Sequence, residues 1–350
     1  MNSPLKMLVI RLSSLGDILH TLPAFFDLRN SFPDAKIDWL VGSSSSFLLS
    51  TVRGIDTIHV FDKDAVRFSL PGRSTRYPVR KLIRTLRAEK YDYSIDFQGL
   101  LKTALLGFLS GAKTRIGFSK DLVREPPAHW FYHQTEIPPG EPLHVLAQNR
   151  MLAELVGAHP VSTPFEPIIA CKDQSFIDSL IEKEELTNFA VINPGGGWPS
   201  KIWKSEHYGK LAYRIQTELN LPVVVTTGPG EEYVYEILSA QCREKPPIHL
   251  QISFLQLIPL LKKAQVLIGG DTGPFHLACA LGTAVVGIFG PTSPVRNGPW
   301  HDMDEIVTHA MHCSFCYKRK CPTDNACMEI PVDEVFTAVT RRLAKGDKLL

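Results

Sequence analysis

Lys6-Met-Leu-Val-Ile-Arg11, then the turn Leu12-Ser-Ser-Leu-Gly16, then a helix-like stretch carrying Ile18, Leu19, Leu22 and Phe25, is the passage that decides the fold. A short β-rich run, a turn of small residues and an amphipathic segment in that order make the opening of a βαβ unit. The same alternation recurs. Strands are expected at 36–41, 57–61 and 93–97, the last preceded by a helix over about 79–89, and together these form one doubly wound half. A second half begins with a strand at 189–193 and a glycine-rich turn. It continues with helix 205–218, strand 222–227, helix 231–242, strand 266–269, helix 274–281 and strand 284–289. Between them, 117–142 holds five prolines and little periodicity, which predicts a loop over a cleft, ending near a helix at 145–156. The proline-bearing passage 159–167 marks the boundary. The expected organisation is therefore α/β, with Rossmann-like domains over 1–165 and 166–330 and a closing helix within 331–350. No repeat of 20 to 50 residues stands out.

Composition narrows the function. With 350 residues, 44% hydrophobic and 21% charged, the chain can bury a large core and is not disordered. Its 38 Lys+Arg against 36 Asp+Glu leave a formal charge of +2, which removes the basic excess of a dedicated nucleic-acid binder. The apolar run 7–10 is too short for a signal peptide, and the most apolar stretch, 264–291, is interrupted by Asp271, His276, glycines and prolines, so no export signal or bilayer span is expected. A soluble cytoplasmic protein follows. Seven cysteines in a reducing compartment argue against a disulfide framework, although four of them crowd into 313–327.

In doubly wound sheets, ligands collect beyond the carboxyl ends of strands, where turns lead into helix N-termini that favour anions. Four turns qualify. In Ser13-Ser14-Leu15-Gly16-Asp17 a carboxylate faces the cleft, so Asp17 is a candidate general base; an ordinary first-turn acid is the alternative. Asn193-Pro-Gly-Gly-Gly197 precedes Lys201; Gly196 and Gly197 permit close backbone approach to a phosphate that Lys201 can neutralise, though the spacing is not that of a P-loop. In Gly269-Gly270-Asp271-Thr272-Gly273-Pro274 the amides of Thr272 and Gly273 would point at an anion, with structural capping by Asp271 and a packed surface His276 as the plain reading. The fourth turn, 226–232, offers Glu231 or Glu232 to ribose hydroxyls, or simply as helix-start acids. No G-x-G-x-x-G lies in any of them, which counts against a dehydrogenase.

Two further clusters stand apart. Arg67, Arg73, Arg76, Arg80, Lys81, Arg84, Arg87 and Lys90 face one acid, Glu89, within 67–90. Leu82, Ile83 and Leu86 would pack inward while Arg80, Arg84 and Arg87 share an outer face, which is either a solvated helix face or a surface for anionic lipid. Cys313, Cys316, Cys321 and Cys327 could enclose a zinc ion, though the spacing is not a common zinc template; free or reversibly paired thiols are the alternative. Lys318, Arg319 and Lys320 beside them would lower the thiol pKa values.

Taken together, Arg11-Leu-Ser-Ser-Leu-Gly-Asp-Ile-Leu-His-Thr-Leu-Pro-Ala24, Asp96-Phe-Gln-Gly-Leu-Leu-Lys102, Arg124-Glu-Pro126, Lys201-Ile-Trp203 and Gly270-Asp-Thr-Gly-Pro-Phe-His276 resemble glycosyltransferase family 9 across nearly the whole chain, nearest its type I lipopolysaccharide heptosyltransferases. The resemblance implies a GT-B fold, two Rossmann-like domains facing a cleft, with the acceptor on the N-terminal half and the nucleotide sugar on the C-terminal half. It implies inverting transfer of heptose from ADP-heptose to the Kdo of the lipid A inner core, with no cofactor required, at the inner face of the inner membrane. Related acceptors, as for type II enzymes, or another nucleotide sugar are the nearest alternatives; a zinc-centred binding module is the remote one. Residue by residue, Asp17 matches the catalytic aspartate and Lys201 the lysine on the donor phosphates. Asp271, Thr272, Gly273 and His276 complete the donor motif. Ile252 matches a position lining the adenine, and Glu231, with one residue of ambiguity against Glu232, matches the family's ribose-binding acid. Gly196 and Gly197 stand where the family uses hydroxyl residues, so only backbone contacts are expected there. Ser14, Gly16, Gln98, Lys102, Arg80 and Arg84 fall on the acceptor side, where an anionic acceptor needs cations.

Overall fold

The computed structural model describes residues 4–62, 76–136, 142–162 and 164–346. The chain divides into two compact units, residues 1–168 and 169–350. The division falls three residues beyond the one expected from the prolines, and the reason is local. Ile168 N donates to Thr51 O at 2.8 Å, which ties the proline passage to the first unit.

The first unit runs β1 (Lys6–Ile10), α1 (Leu15–Ser31), β2 (Lys36–Gly42), β3 (Thr57–Phe61), α2 (Arg76–Glu89), β4 (Tyr93–Asp96), α3 (Leu101–Leu109), β5 (Thr114–Phe118), β6 (Gln134–Glu136) and α4 (Val145–Glu154). Its strands are ordered β3-β2-β1-β4-β5-β6, and every pair is parallel. Met7 to Ile10 in β1 are fully buried, as expected of a central parallel strand covered on both faces.

The second unit runs α5 (Cys171–Lys183), β7 (Ala190–Asn193), α6 (Ser205–Glu218), β8 (Val223–Thr227), α7 (Glu232–Ser239), β9 (Ile248–Gln251), α8 (Phe254–Lys263), β10 (Val266–Gly270), α9 (Gly273–Leu281), β11 (Val285–Phe289), β12 (Glu305–Thr308) and α10 (Val332–Ala344). The order β12-β11-β10-β7-β8-β9, again all parallel, repeats the first sheet when counted from β7. In each sheet the order reverses beside the first strand, between β1 and β4 and between β7 and β10. That reversal is where doubly wound proteins hold ligands.

Three expectations need correction. The passage 117–142 is not a plain loop: it contains the end of β5, a 3-10 turn at Pro126–Phe131 and β6, with 137–141 outside the described residues. Strands β5, β6, β9 and β12 were not expected, because they lie toward the sheet edges and carry polar residues such as Arg115, Gln134, His249 and Glu305. The closing helix is part of the second unit, where Val335, Ala338 and Val339 of α10 pack into the core around Trp203 and Ile288.

Helix α2 is amphipathic as expected. Leu86 is buried and Leu82 packs against the core with it, while Arg80 and Arg84 are exposed. Arg67 and Arg73 lie outside the described residues. In the second unit, Gly209 on α6 is required by close approach to α7, since a Cβ there would collide with the Leu238 carbonyl. Gly209→Ala should therefore lower unfolding stability by about 1–3 kcal/mol in a denaturant titration, the range of overpacking substitutions. Unchanged stability would show that the two helices are not in fixed contact.

Candidate active site

At the carboxyl edge of the first sheet, Arg11 follows β1 and is almost completely buried. A guanidinium there needs compensation. Its Nη2 pairs with Asp17 Oδ1 at 2.6 Å, and its Nη1 donates to the Phe97 carbonyl at the end of β4. Asp17 stands in the first turn of α1, where its Oδ2 accepts from Ser14 N at 3.0 Å and Ser14 Oγ at 3.2 Å. Arg124 Nη2 lies 3.3 Å from Asp17 Oδ1, brought there because Arg124 N bonds Gly99 O at 3.1 Å. Gly99 is the turn residue after β4, with φ +67°.

Asp17 is thus a first-turn acid and also the shared anion of two arginines, with its carboxylate 17% exposed. Burial alone would push this carboxyl up. The Arg11 charge, then Arg124 and the Ser14 amide, outweigh it and hold the group far below the usual carboxylate range. It is an anion at any physiological pH.

The other acceptor-side residues are placed less uniformly. Ser14 is exposed at the start of α1 and Gly16 is buried within it. Gln98 is buried, and its Oε1 accepts from Leu12 N at 2.8 Å, bracing the turn after β1. Lys102 is exposed on α3, and Arg80 and Arg84 are exposed on α2. Sequence reasoning quoted Arg11 and Arg124 without assigning them a role. The signal for Arg11 was available, because a cation directly after a fully apolar strand must find an anion.

The second unit repeats the arrangement with opposite polarity. Asp271 follows β10 and is buried; its Oδ2 pairs with Lys201 Nζ at 2.8 Å and its Oδ1 with His276 Nε2 at 2.7 Å. Asn297 Nδ2 also donates to Asp271 Oδ2, at 3.2 Å. Burial would raise this carboxyl, but the hydrogen bond and charge of His276 and then the Lys201 ammonium hold it far below the usual range. His276 is not a surface histidine, being 4% exposed. Lys201 leaves a short 3-10 turn after β7 and lies 4.4 Å over the ring of Trp198, so its ammonium is held from two sides. Thr272 precedes α9 and Gly273 begins it, so the free amides of that helix start lie beside the Lys201–Asp271 pair. Thr272 Oγ1 is buried with no hydrogen-bond partner among the described residues.

Gly196 and Gly197 lie in the turn after β7, where a Cβ on Gly197 would meet only open space. The geometry separates the two glutamates. Glu231 Oε2 accepts from Gly228 N at 2.8 Å and abuts Gly195, whereas Glu232 accepts from Gly230 N and Gln251 Nε2. Ile252 is half-buried directly after β9. All of these residues lie at the carboxyl edge of the sheet.

The four clustered cysteines are unpaired. Among the described residues, no three His, Cys, Asp or Glu side chains form a group arranged to hold a metal ion. The basic trio is not what acidifies a thiol here. Hydrogen bonds to the side chain and backbone of Thr323 lower Cys321, while burial raises Cys327.

Comparison with known proteins adds three findings. The family model described as glycosyltransferase family 9 (heptosyltransferase) matches residues 79–327. Among curated proteins, the chain is similar to the lipopolysaccharide core heptosyltransferase OpsX of Haemophilus influenzae, 26% identical over 309 residues and covering 87% of this chain and 85% of that one. It is also 29% identical over 294 residues to lipopolysaccharide heptosyltransferase 3 of Escherichia coli, covering 81% and 82%. Among solved structures, the family 9 glycosyl transferase from Veillonella parvula aligns with a TM-score of 0.83 at 19% identity, covering 99% of both chains. Escherichia coli heptosyltransferase WaaC with ADP aligns at 0.74 and 21% identity, over 97% of this chain and 100% of that one.

The pairing of Asp17 predicts a titration. Arg124 is 46% exposed, so Arg124→Gln should fold normally. Removing one cation should move the Asp17 carboxyl upward, toward the ordinary carboxylate range, in a carboxyl carbon NMR titration. An unmoved titration would mean that Arg11 alone sets its charge.

Proposed function

Because the chain belongs to glycosyltransferase family 9 and is a transferase with the GT-B-like fold of that family, we propose that it moves heptose from ADP-heptose to the Kdo of the lipopolysaccharide inner core, with inversion at the anomeric carbon. Heptosyltransferase activity in lipopolysaccharide core synthesis is the coarser statement, supported by curated relatives that align over most of their length. Two observations support the finer reading, each within its own unit: the Asp271–Lys201–His276 group beside the start of α9, and the carboxylate of Asp17 kept ionised by Arg11.

In this mechanism Asp17 accepts the proton of the acceptor hydroxyl as its oxygen attacks the anomeric carbon. The bond to the diphosphate breaks, and ADP departs with its charge. Arg11 and Arg124 make Asp17 a weak but permanently available base, so proton transfer falls late, once the hydroxyl has become acidic through bonding to carbon. Lys201 and the amides of Thr272 and Gly273 meet the diphosphate, where negative charge grows. Asp271 sets the Lys201 ammonium in place, and His276 sets Asp271. Gly196 and Gly197 allow the backbone near the phosphates, Glu231 takes the ribose hydroxyls and Ile252 lies against the adenine. Transfer itself calls for no metal or other cofactor.

The acceptor is anionic, and Lys102, Arg80 and Arg84 supply exposed cations on the first unit. The same residues would hold the protein to an anionic inner-membrane surface from the cytoplasmic side. No helix among the described residues is long and apolar enough to cross a membrane. Arg80→Glu with Arg84→Glu should weaken sedimentation with phosphatidylglycerol vesicles, and the defect should shrink as salt rises. Binding indifferent to both changes would refute charge-based attachment.

Asp17→Asn keeps an acceptor oxygen for Arg11 and should lower kcat by about 100-fold to 10,000-fold, with ADP-heptose affinity by calorimetry nearly unchanged. Retained turnover removes Asp17 from the base role. Lys201→Ala should raise the donor KM and lower kcat together, since a phosphate contact is lost in both the ground and transition states. Unchanged kinetics would refute the donor assignment.

A further inference from the structure

Helix α3 turns an apolar face to solvent that the fold does not use. Its inner side is Thr103, Ala104, Leu106 and Gly107, all buried, with Gly107 against Ile10 and Ser94 of the sheet. Leu101, Leu105 and Phe108 share the other face at helical spacing and are 40%, 40% and 46% exposed. The 3-10 turn Pro126–Phe131 lies along the same helix. Leu101 N donates to Glu125 Oε2 at 2.7 Å, and the Phe131 ring stands 5.8 Å from that of Phe108. Arg115 braces the turn, donating from Nε to Phe131 O at 2.6 Å with its guanidinium 5.2 Å from the Phe108 ring. So braced, the turn holds Trp130 75% exposed. Single exposed apolar side chains are ordinary, but a helical stripe continued by a tryptophan marks an interaction surface. Phe47, Val60 and Ile168, the other large apolar side chains exposed in this unit among the described residues, stand apart in the chain.

The flank of the stripe is cationic. Lys102 is exposed on α3 itself. Arg87 Nε donates to Leu109 O at 2.9 Å, which brings the basic face of α2, with Arg84 one turn earlier, to the end of α3. Both arginines are exposed. Glu125, an exposed acid at the start of the 3-10 turn, already serves the Leu101 amide.

We propose that this face docks on an anionic bilayer, with Leu101, Leu105, Phe108 and Trp130 entering the boundary between headgroups and acyl chains while Lys102, Arg84 and Arg87 meet lipid phosphates. Apolar and aromatic side chains bordered by cations are what that boundary selects, since tryptophan places its ring there and basic residues stay at headgroup level. A second copy of the chain fits less well, because a two-fold contact would set the flanking cations of one copy beside those of the other. The surface also borders the candidate base. Arg124, directly before Glu125, pairs with Asp17, and Gly99 lies two residues ahead of Leu101. A lipid-anchored acceptor would therefore meet Asp17 at the membrane surface; this consequence rests on the transfer reading, but the docking does not.

The test compares the parent protein, Trp130→Phe and Leu105→Ser/Trp130→Ser on mixed phosphatidylethanolamine–phosphatidylglycerol vesicles. In the parent, the tryptophan emission that Trp130→Phe removes should move to shorter wavelength and be quenched by lipids brominated on their acyl chains. Salt separates insertion from charge. At about 1 M salt, where the Debye length is about 3 Å, residual vesicle binding should persist in the parent and fall by at least about tenfold in the double variant. Emission that neither shifts nor quenches, residual binding equal in the two proteins, or a parent dimer in sedimentation equilibrium that the double variant dissolves would overturn the proposal. Transfer to a soluble acceptor without acyl chains should be equal in the parent and the double variant. No transfer by either would count against the function reading and leave the vesicle result intact.

Discussion

A buried guanidinium must have an anion, and in the first unit that requirement organises everything at the carboxyl edge of the sheet. Arg11 sits where the strand order reverses, a place that crossovers leave uncovered because the chain departs to opposite sides. Its two partners are the Phe97 carbonyl and Asp17, so one side chain binds the ends of β1 and β4 to the first turn of α1. The Ser14 hydrogen bonds and the approach of Arg124 complete the same cluster. Positional order and charge state are consequences of one ion pair.

The second unit meets the same topological gap with the charges exchanged. There the buried group is a carboxylate, Asp271, and a lysine and a histidine answer it. The carboxyl edge of the second sheet therefore presents a cation and a helix start, whereas the equivalent edge of the first presents an anion. Two copies of one sheet order thereby carry opposite charge patterns at the same edge, and the proposed roles in proton acceptance and diphosphate binding rest on that contrast.

Much of this was legible in the sequence for a physical reason. Central parallel strands are apolar on both faces, so β1, β2, β7, β8, β10 and β11 stand out as runs, and the turns after three of them contain the small residues and acids that mark a ligand edge. Asp17, Lys201 and Asp271 could be placed at ligand-edge turns by position, but with plain structural alternatives, and the choice between those, like the role of His276, came only from the family resemblance. Partners distant in the chain could not. Arg124 reaches Asp17 across 107 residues, and only the fold shows that Gln98 spends its amide oxygen on the Leu12 backbone. Edge strands such as β6 and β12 are only three and four residues long and hold polar residues at half or more of their positions, too little to register as apolar runs, and Pro259 inside α8 reads locally as a break.

The most direct measurement is the mass of the lipid recovered after incubating purified protein with ADP-heptose and Kdo-lipid A. The account predicts lipid heavier by one heptose residue, with ADP released in equal amount. Unaltered lipid, with the donor intact or merely hydrolysed, would contradict it.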